Sequence, residues 1–239
     1  MKAVGKIPTT NRWKAKYREP IEPDSGALPS LSEGWCWATV DSLQWSGDYG
    51  TSQRCDSAAH GPPVVRIPNV KDGHLCLRDM KFATDRKHLR PNGALQQGDF
   101  LFVRSNGSKG LIGRGALVEH ALPEEHHFAS YLIRLKLAVN TTTARWLSLA
   151  WHTFPLRMQL LEGASSSAGQ YNISLSAVRR YLLPIPPLHE QQRILEEVTR
   201  RLGVENQCGA CVRKAQNHCE RLRGSILARG LTGELFPGQ

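Results

Sequence analysis

The sequence predicts an α+β protein, a mixed globular domain followed by one long helix, and three observations carry that prediction. Between Trp35 and Leu137, short runs rich in β-branched and aromatic residues are separated by Gly, Pro, Asn and Asp, as strands are. The stretch TTTARWLSLAWHTF then switches to helical spacing. Finally, three prolines, Pro184, Pro186 and Pro187, stand directly before apolar residues that recur at helical spacing almost to the C-terminus.

Residues 1–34 hold Pro8, Pro20, Pro23 and Pro29 among charges without apolar periodicity, which reads as an extended arm or tether. Residues 35–186 form the expected domain. Its strand candidates are PPVVRIPNV, HLCL, GDFLFVRS, LIGRGALV and FASYLIRLKL. In the first helical stretch Leu147, Ala150, Trp151 and Phe154 share a face, Thr143 suits an N-cap, and Pro155 forces a break or a second start. GASSSAGQYNIS reads as a loop by composition.

The prolines then set a boundary. Proline has no amide donor and disfavours helix in the residue before it, so Leu182 to Pro186 should be extended. Pro187 is tolerated in a first helical turn, where its amide would have no partner, and Glu190 suits the positive end of the helix dipole. Residues 187–239 are therefore expected to form a helix and a short tail. Val212, Ala215, Cys219, Leu222 and Ile226 repeat at spacings of three and four, the seam of a coiled coil, and such a narrow seam needs a partner helix.

The chain has 239 residues, 40% of them hydrophobic, enough for one substantial core. Lys plus Arg number 31 against 21 Asp plus Glu, a formal net charge of +10, which favours a polyanionic partner such as nucleic acid. No apolar run approaches the ~20 residues of a membrane span, and the N-terminus does not read as a signal peptide, so a cytoplasmic protein is expected. The six cysteines are too thinly spread for a disulfide scaffold.

Four groups of residues have side chains suited to chemistry. RSNGSKGLIGRG (104–115) concentrates glycine with Arg104, Lys109 and Arg114, yet it ends in no Gly-Lys-Ser/Thr and has no dinucleotide spacing. A strand, a turn and a second strand that bring cations to a phosphate backbone is the simpler geometry. Cys208, Cys211, His218 and Cys219 are zinc-type donors, but on a continuous helix they read better as small hydrophobes. His126 and His127 beside Glu124 and Glu125 read as a solvated loop, and Asp79 with Lys81, or Asp85 with Lys87, supplies only half of a metal-nuclease constellation. No catalytic centre and no metal site is expected.

Recognition remains. Arg66, Asn69, Lys71, Arg104, Asn106, Lys109, Arg114, Gln170, Tyr171 and Asn172 are side chains of the types that read base edges or hold phosphates, and they fall in the loops of a basic domain. The competing reading is an interaction protein whose coiled coil does the work while the basic domain binds nucleic acid without sequence preference. An enzyme acting on nucleotides through the 107–115 loop is a third.

LPSLSEGWCWATVDSL (28–43), VVRIPNVKDGHLCL (64–77), LQQGDFLFVRSNGSKGLIGRGALV (95–118), SAGQYNISLSAVRRYLLPIPPLHEQQRIL (167–195) and LRGSILARGLTGELFP (222–237) together resemble the DNA sequence specificity subunit of type I restriction-modification enzymes. The resemblance implies a target recognition domain that reads one half of a bipartite DNA site, and a spacer helix that acts as a ruler. It implies a subunit without catalysis or cofactor of its own. Partner subunits would supply adenine-N6 methylation with S-adenosylmethionine and ATP-driven translocation with nuclease activity. Family members carry two recognition domains and two spacer helices, whereas this chain has one of each and resembles the C-terminal half. Two copies, or this half and a different one, are then expected to pair through the helix, and a symmetric pair should read a palindromic site.

Overall fold

The computed structural model describes residues 18–232 other than 25, 27 and 72, with the side chains of 205–211 also left aside. The chain divides into two units, one reaching Gln191 and one beginning at Gln192.

The first unit is closed by its own ends. Strand β1 (Cys36–Thr39) pairs antiparallel with β13 (Leu182–Ile185), Cys36 opposite Ile185 and Thr39 opposite Leu182. Pro184 lies opposite Trp37 in this two-stranded sheet, where a strand can lack one donor. A single turn, α1 (Val40–Leu43), leads from β1 into the central sheet.

That sheet is antiparallel, in the order β2 (Gln44–Tyr49), β10 (Leu132–Leu137), β6 (Asp99–Val103), β8 (Gly115–Leu117). Alternate residues of a strand point to opposite faces, so β6 feeds two cores at once. Phe100 and Phe102 join Ile133, Leu135 and Leu117 against helices α2 (Thr141–Trp151) and α3 (Phe154–Glu162), where Leu147, Trp151, Leu156 and Leu160 are buried. The Trp151 ring centroid lies 4.9 Å from that of Phe100 and 5.1 Å from that of Phe102. Leu101 and Val103 join Leu132, Val65, Val70 and Phe128 on the other face. A second four-stranded sheet covers that side, in the order β3 (Cys55–Asp56), β5 (Lys81–Ala83), β4 (Pro63–Val65), β9 (His127–Phe128).

A third sheet has the order β11 (Ser165–Ser167), β12 (Gln170–Asn172), β7 (Ser105–Asn106). The turn α4 (Leu175–Val178) then leads to β13, and α5 runs from Leu188 to Leu231. The second unit, from Gln192, contains the rest of that helix. Within it Glu197 accepts hydrogen bonds from Arg200 and Arg201, which hold its carboxyl down to about 2.

The α+β class and the long helix stand, as do the extended Leu182–Ile185 segment and a second helical start at Pro155. Other expectations are corrected. Asn140, not Thr143, caps α2: its side-chain oxygen accepts from the Thr143 amide at 2.9 Å. Phe154 does not join the buried face but opens α3 with 77% of its surface exposed. HLCL forms no strand, only an isolated bridge at Leu75 opposite Val70. GASSSAGQYNIS is no loop, since it supplies β11 and β12. His126 and His127 are buried, with His127 Nε2 3.0 Å from Glu125 Oε1, so the solvated-loop reading fails.

The arm also takes a definite course where it is described. Asp41, buried under it, accepts from the Ile21 amide and the Arg18 guanidinium, and Thr39 donates its hydroxyl to the Ile21 carbonyl at 2.6 Å. Trp37 Nε1 donates to the Pro29 carbonyl. Among the described residues the arm is thus tied to the domain at Arg18, Ile21 and Pro29.

Candidate nucleic-acid interface

The site is built on a sheet whose interior is locked by one charge. Arg134, in the middle of β10, is fully buried. It makes a two-pronged ion pair with Asp48, Nε to Oδ1 at 2.8 Å and a terminal nitrogen to Oδ2 at 2.6 Å. It also donates to Asp99 at 3.2 Å and to the carbonyls of Ala94 and Asn92. A buried guanidinium satisfied this fully fixes β2, β10 and β6 relative to the 92–94 turn. Burial pushes the Asp99 carboxyl up, against the pull of Arg134.

At the end of β6 the chain leaves this core with the opposite chemistry. The Arg104 guanidinium carbon lies 4.7 Å from the Tyr49 ring centroid, and its Nε is buried with no hydrogen-bond partner among the described residues. Its backbone is held on both sides, the amide donating to the Tyr131 carbonyl and the carbonyl accepting from Ile173. The loop then makes an Asx turn, Asn106 Oδ1 accepting from the Ser108 amide at 2.7 Å, and a 3-10 turn over Lys109–Leu111. Lys109 is exposed.

β6 and β8 do pair as the flanks of this loop, Phe100 opposite Leu117 and Phe102 opposite Gly115. The base of the loop is clamped by Trp151 Nε1 on the Gly113 carbonyl and Arg157 on the Ile112 carbonyl, each at 2.7 Å. Gly115 serves packing here. A β-carbon there would sit 2.6 Å from Phe100 Cζ and 2.9 Å from Trp151 Cδ1.

The β11–β12 hairpin is seated beside the same loop. Tyr171 pairs with Asn106 and Asn172 with Ser105, so segments more than 60 residues apart in sequence share one ladder. Of the ten residues predicted from sequence to meet DNA, Arg104, Asn106, Lys109, Gln170, Tyr171 and Asn172 come together here, and Arg114 lies where the loop re-enters β8. Tyr171 is half-buried against the core and supports the ribbon, while Gln170 is exposed.

A second basic hollow adjoins this one through Tyr131. A cleft of about 200 Å³ is lined by Thr51, Ser52, Gln53, Arg66, Lys81 and Tyr131, among others. Arg66 donates to the Asp79 carbonyl at 3.0 Å, and its Nε and Gln53 Oε1 are buried without partners among the described residues. Burial pushes the Tyr131 hydroxyl up, against the opposing charge of Arg66. Two cations around hydroxyl and amide groups offer donors of the kind that a phosphate would need. Residue type and sequence neighbours alone do not point Lys81 towards DNA. It is in strand β5, and only the pairing of β5 with β4 brings it to Arg66.

Asn69 belongs elsewhere. It is buried, its oxygen accepts from the Arg66 amide and its nitrogen donates to the carbonyls of Cys76 and Arg78 at 3.1 and 3.0 Å. It holds the 66–78 loop and has no group left for a base. Lys71 is exposed on that loop, whose Gly73 amide donates to the Gly115 carbonyl of β8.

On α5, Val212, Leu222 and Ile226 are 55%, 48% and 54% exposed, and Ala215 and Cys219 are exposed between them. The seam is thus an uncovered apolar stripe. The zinc-type pair Cys208 and Cys211 lies outside the side chains described, and among the described residues no three His, Cys, Asp or Glu side chains gather as metal ligands. No helix among the described residues is long and apolar enough to cross a membrane.

No protein-family model matches the chain. It is 26% identical over 186 residues to the EcoKI type I restriction enzyme specificity subunit of Escherichia coli (strain K12), covering 78% of this chain and 40% of that one. It is 27% identical over 204 residues to the StySPI specificity subunit of Salmonella potsdam, covering 84% and 43%. The chain therefore spans about two-fifths of the length of these relatives. Among solved structures, a chain from a study of the assembly and conformational transition of the type I R-M system superposes with a TM-score of 0.61 at 19% identity, over 89% of this chain and 49% of that one. The HsdS subunit from Thermoanaerobacter tengcongensis gives 0.51 at 20%, over 89% and 48%. These two share the fold.

Proposed function

We propose that this chain is a half-sized DNA sequence specificity subunit of a type I restriction-modification system, which reads one half of a bipartite site through its globular unit. The observation that carries the proposal is the gathering of Arg104, Asn106, Lys109 and Gln170, drawn from two distant segments, onto one polar edge of a basic domain that is similar to specificity subunits over most of its length. Arg104 and Lys109 would hold phosphates and fix register, and polar side chains of the ribbon would meet base edges. Arg66 and Lys81 extend the phosphate track across Tyr131.

The reading assigns the chain no catalysis and no cofactor. Partner subunits, an adenine-N6 methyltransferase using S-adenosylmethionine and an ATP-driven restriction and translocation subunit, would act on the DNA that this chain positions. The uncovered seam from Val212 to Ile226 would pair with the equivalent helix of a second half, in the simplest case another copy in the same cytoplasm. A continuous helix advances about 1.5 Å per residue, so its 44 residues amount to roughly 66 Å, long enough to set a fixed spacing between two half-sites.

The experiment is a comparison of affinities. The full chain should bind one duplex sequence at least about a thousandfold more tightly than unrelated duplexes at physiological salt. Steep salt dependence with equal affinity for all sequences would return the chain to non-specific binding.

A further inference from the structure

The β11–β12 hairpin has features that the phosphate-holding loop beside it lacks. Its third strand stops early: β7 ends at Asn106 opposite Tyr171, so Ser167, Ala168, Gly169 and Gln170 continue as a two-stranded ribbon. Residues 165–170 are all exposed, and a β-carbon built at Gly169 would meet nothing within 4 Å. The turn has positive φ at both central residues, 48° at Ala168 and 76° at Gly169, the primed turn that matches strand twist and keeps the tip narrow.

The two faces of the ribbon differ. Ser166 and Tyr171 are opposite one another, and Tyr171 is packed against the core, so that face belongs to the domain. Ser167 and Gln170 are the cross-strand pair on the other face, outermost of all, with Ser165 and Asn172 behind them. Every side chain on that face is a hydrogen-bonding one, and none is charged. Gly107 lies beside Gln170: a β-carbon there would be 3.8 Å from Gln170 Nε2.

We propose that this hairpin is the element that enters the major groove, and that Gln170, with Ser167 across from it, reads a single base pair there. The inference rests on the reading of the chain as a DNA specificity protein. Two paired strands lie about 4.8 Å apart, and three residues extend about 10 Å, which suits a groove about 12 Å wide and 8.5 Å deep. A glutamine amide matches the N6 and N7 edge of adenine with two hydrogen bonds, so the base read is adenine. Tyr171 is a positioning residue. Its ring sets the ribbon on the core and does not touch the base.

The test is selection of the full chain against a randomised duplex pool, giving a preference for each base at each position. Gln170→Ala should reduce discrimination at one A·T position about ten- to a hundredfold, with the other positions and the salt slope unchanged. Ser167→Ala should weaken the same or the adjacent position by less. Gln170→Arg should move the preference at that position to G·C, because a guanidinium matches guanine O6 and N7. An unaltered preference matrix in Gln170→Ala, or a loss of affinity spread evenly over all sequences, would overturn the inference while leaving the proposed function standing. Failure of the unmodified chain to select any motif would overturn both.

Discussion

Arg134, in β10, and Arg104, just past the end of the neighbouring strand β6, do opposite work. Arg134 is fully buried, pairs with two aspartates and two carbonyls, and faces the Phe128 ring 5.1 Å away. Arg104, five residues along from Asp99, lies on Tyr49 at the edge of a polar ribbon with one nitrogen unpartnered among the described residues. The first guanidinium has exchanged water for protein ligands one by one. The second keeps an Nε without a partner among the described residues, and under the proposed function its guanidinium would meet a phosphate. The sequence sets them in different surroundings, Arg134 among apolar strand residues and Arg104 before a glycine-rich turn, but does not show what each one meets. What distinguishes them is whether carboxylates come to meet the charge.

The largest expected effect tests the Arg134 side. Arg134→Met removes one partner of a buried network and strands Asp48 and Asp99, so it should cost about 3–5 kcal/mol in urea unfolding. A loss below 1 kcal/mol would mean that water reaches the site. In the second unit, Leu222→Asp with Ile226→Asp should abolish association through the seam in sedimentation while urea unfolding of the globular unit stays as it was. An oligomer that survives would mean that the seam is not the contact.

A smaller effect is expected from Arg104→Ala or Lys109→Ala. Each should weaken DNA binding and reduce the salt slope by about 0.9, one phosphate contact, with folding stability unchanged. An unchanged slope would place the phosphate contacts elsewhere, and a folding loss like that of Arg134→Met would erase the distinction between the two arginines.

The smallest effect concerns Tyr181, a buried hydroxyl without a hydrogen-bond partner among the described residues, whose burial raises it from 10.0 to about 12. The unfolded chain releases this proton first. The contribution is therefore whole below pH 10 and is lost as pH rises towards 12. Tyr181→Phe should be nearly neutral at pH 7 and should fall less steeply than the unmodified chain in melting experiments across that alkaline range. Parallel curves would show that the hydroxyl is already solvated.

Much of this architecture is legible in local sequence. The proline gate at 184–187, the apolar runs of β6 and β10 and the repeat of α5 each declare themselves within a dozen residues, because φ restriction and periodicity are local properties. The β11–β12 hairpin is not legible in the same way. Ser, Gly and Asn have weak strand propensity, and their ladder is completed only by β7, some 60 residues earlier. The same distance explains the site. Arg104 and Lys109 stand out as cations among glycines, but Lys81 enters only through the β4–β5 pairing, and Asn69 is taken away from the interface by carbonyls seven and nine residues ahead. Residue type identifies candidates for recognition, and long-range pairing decides which of them are left with free groups.

The most direct test of the central claim is methylome sequencing of cells that carry this chain with a type I methyltransferase subunit and no other specificity protein. The account predicts N6-methyladenine within one new bipartite motif whose two halves are inverted repeats separated by a fixed spacer. Abundant, folded chain with no new methylated motif would contradict it.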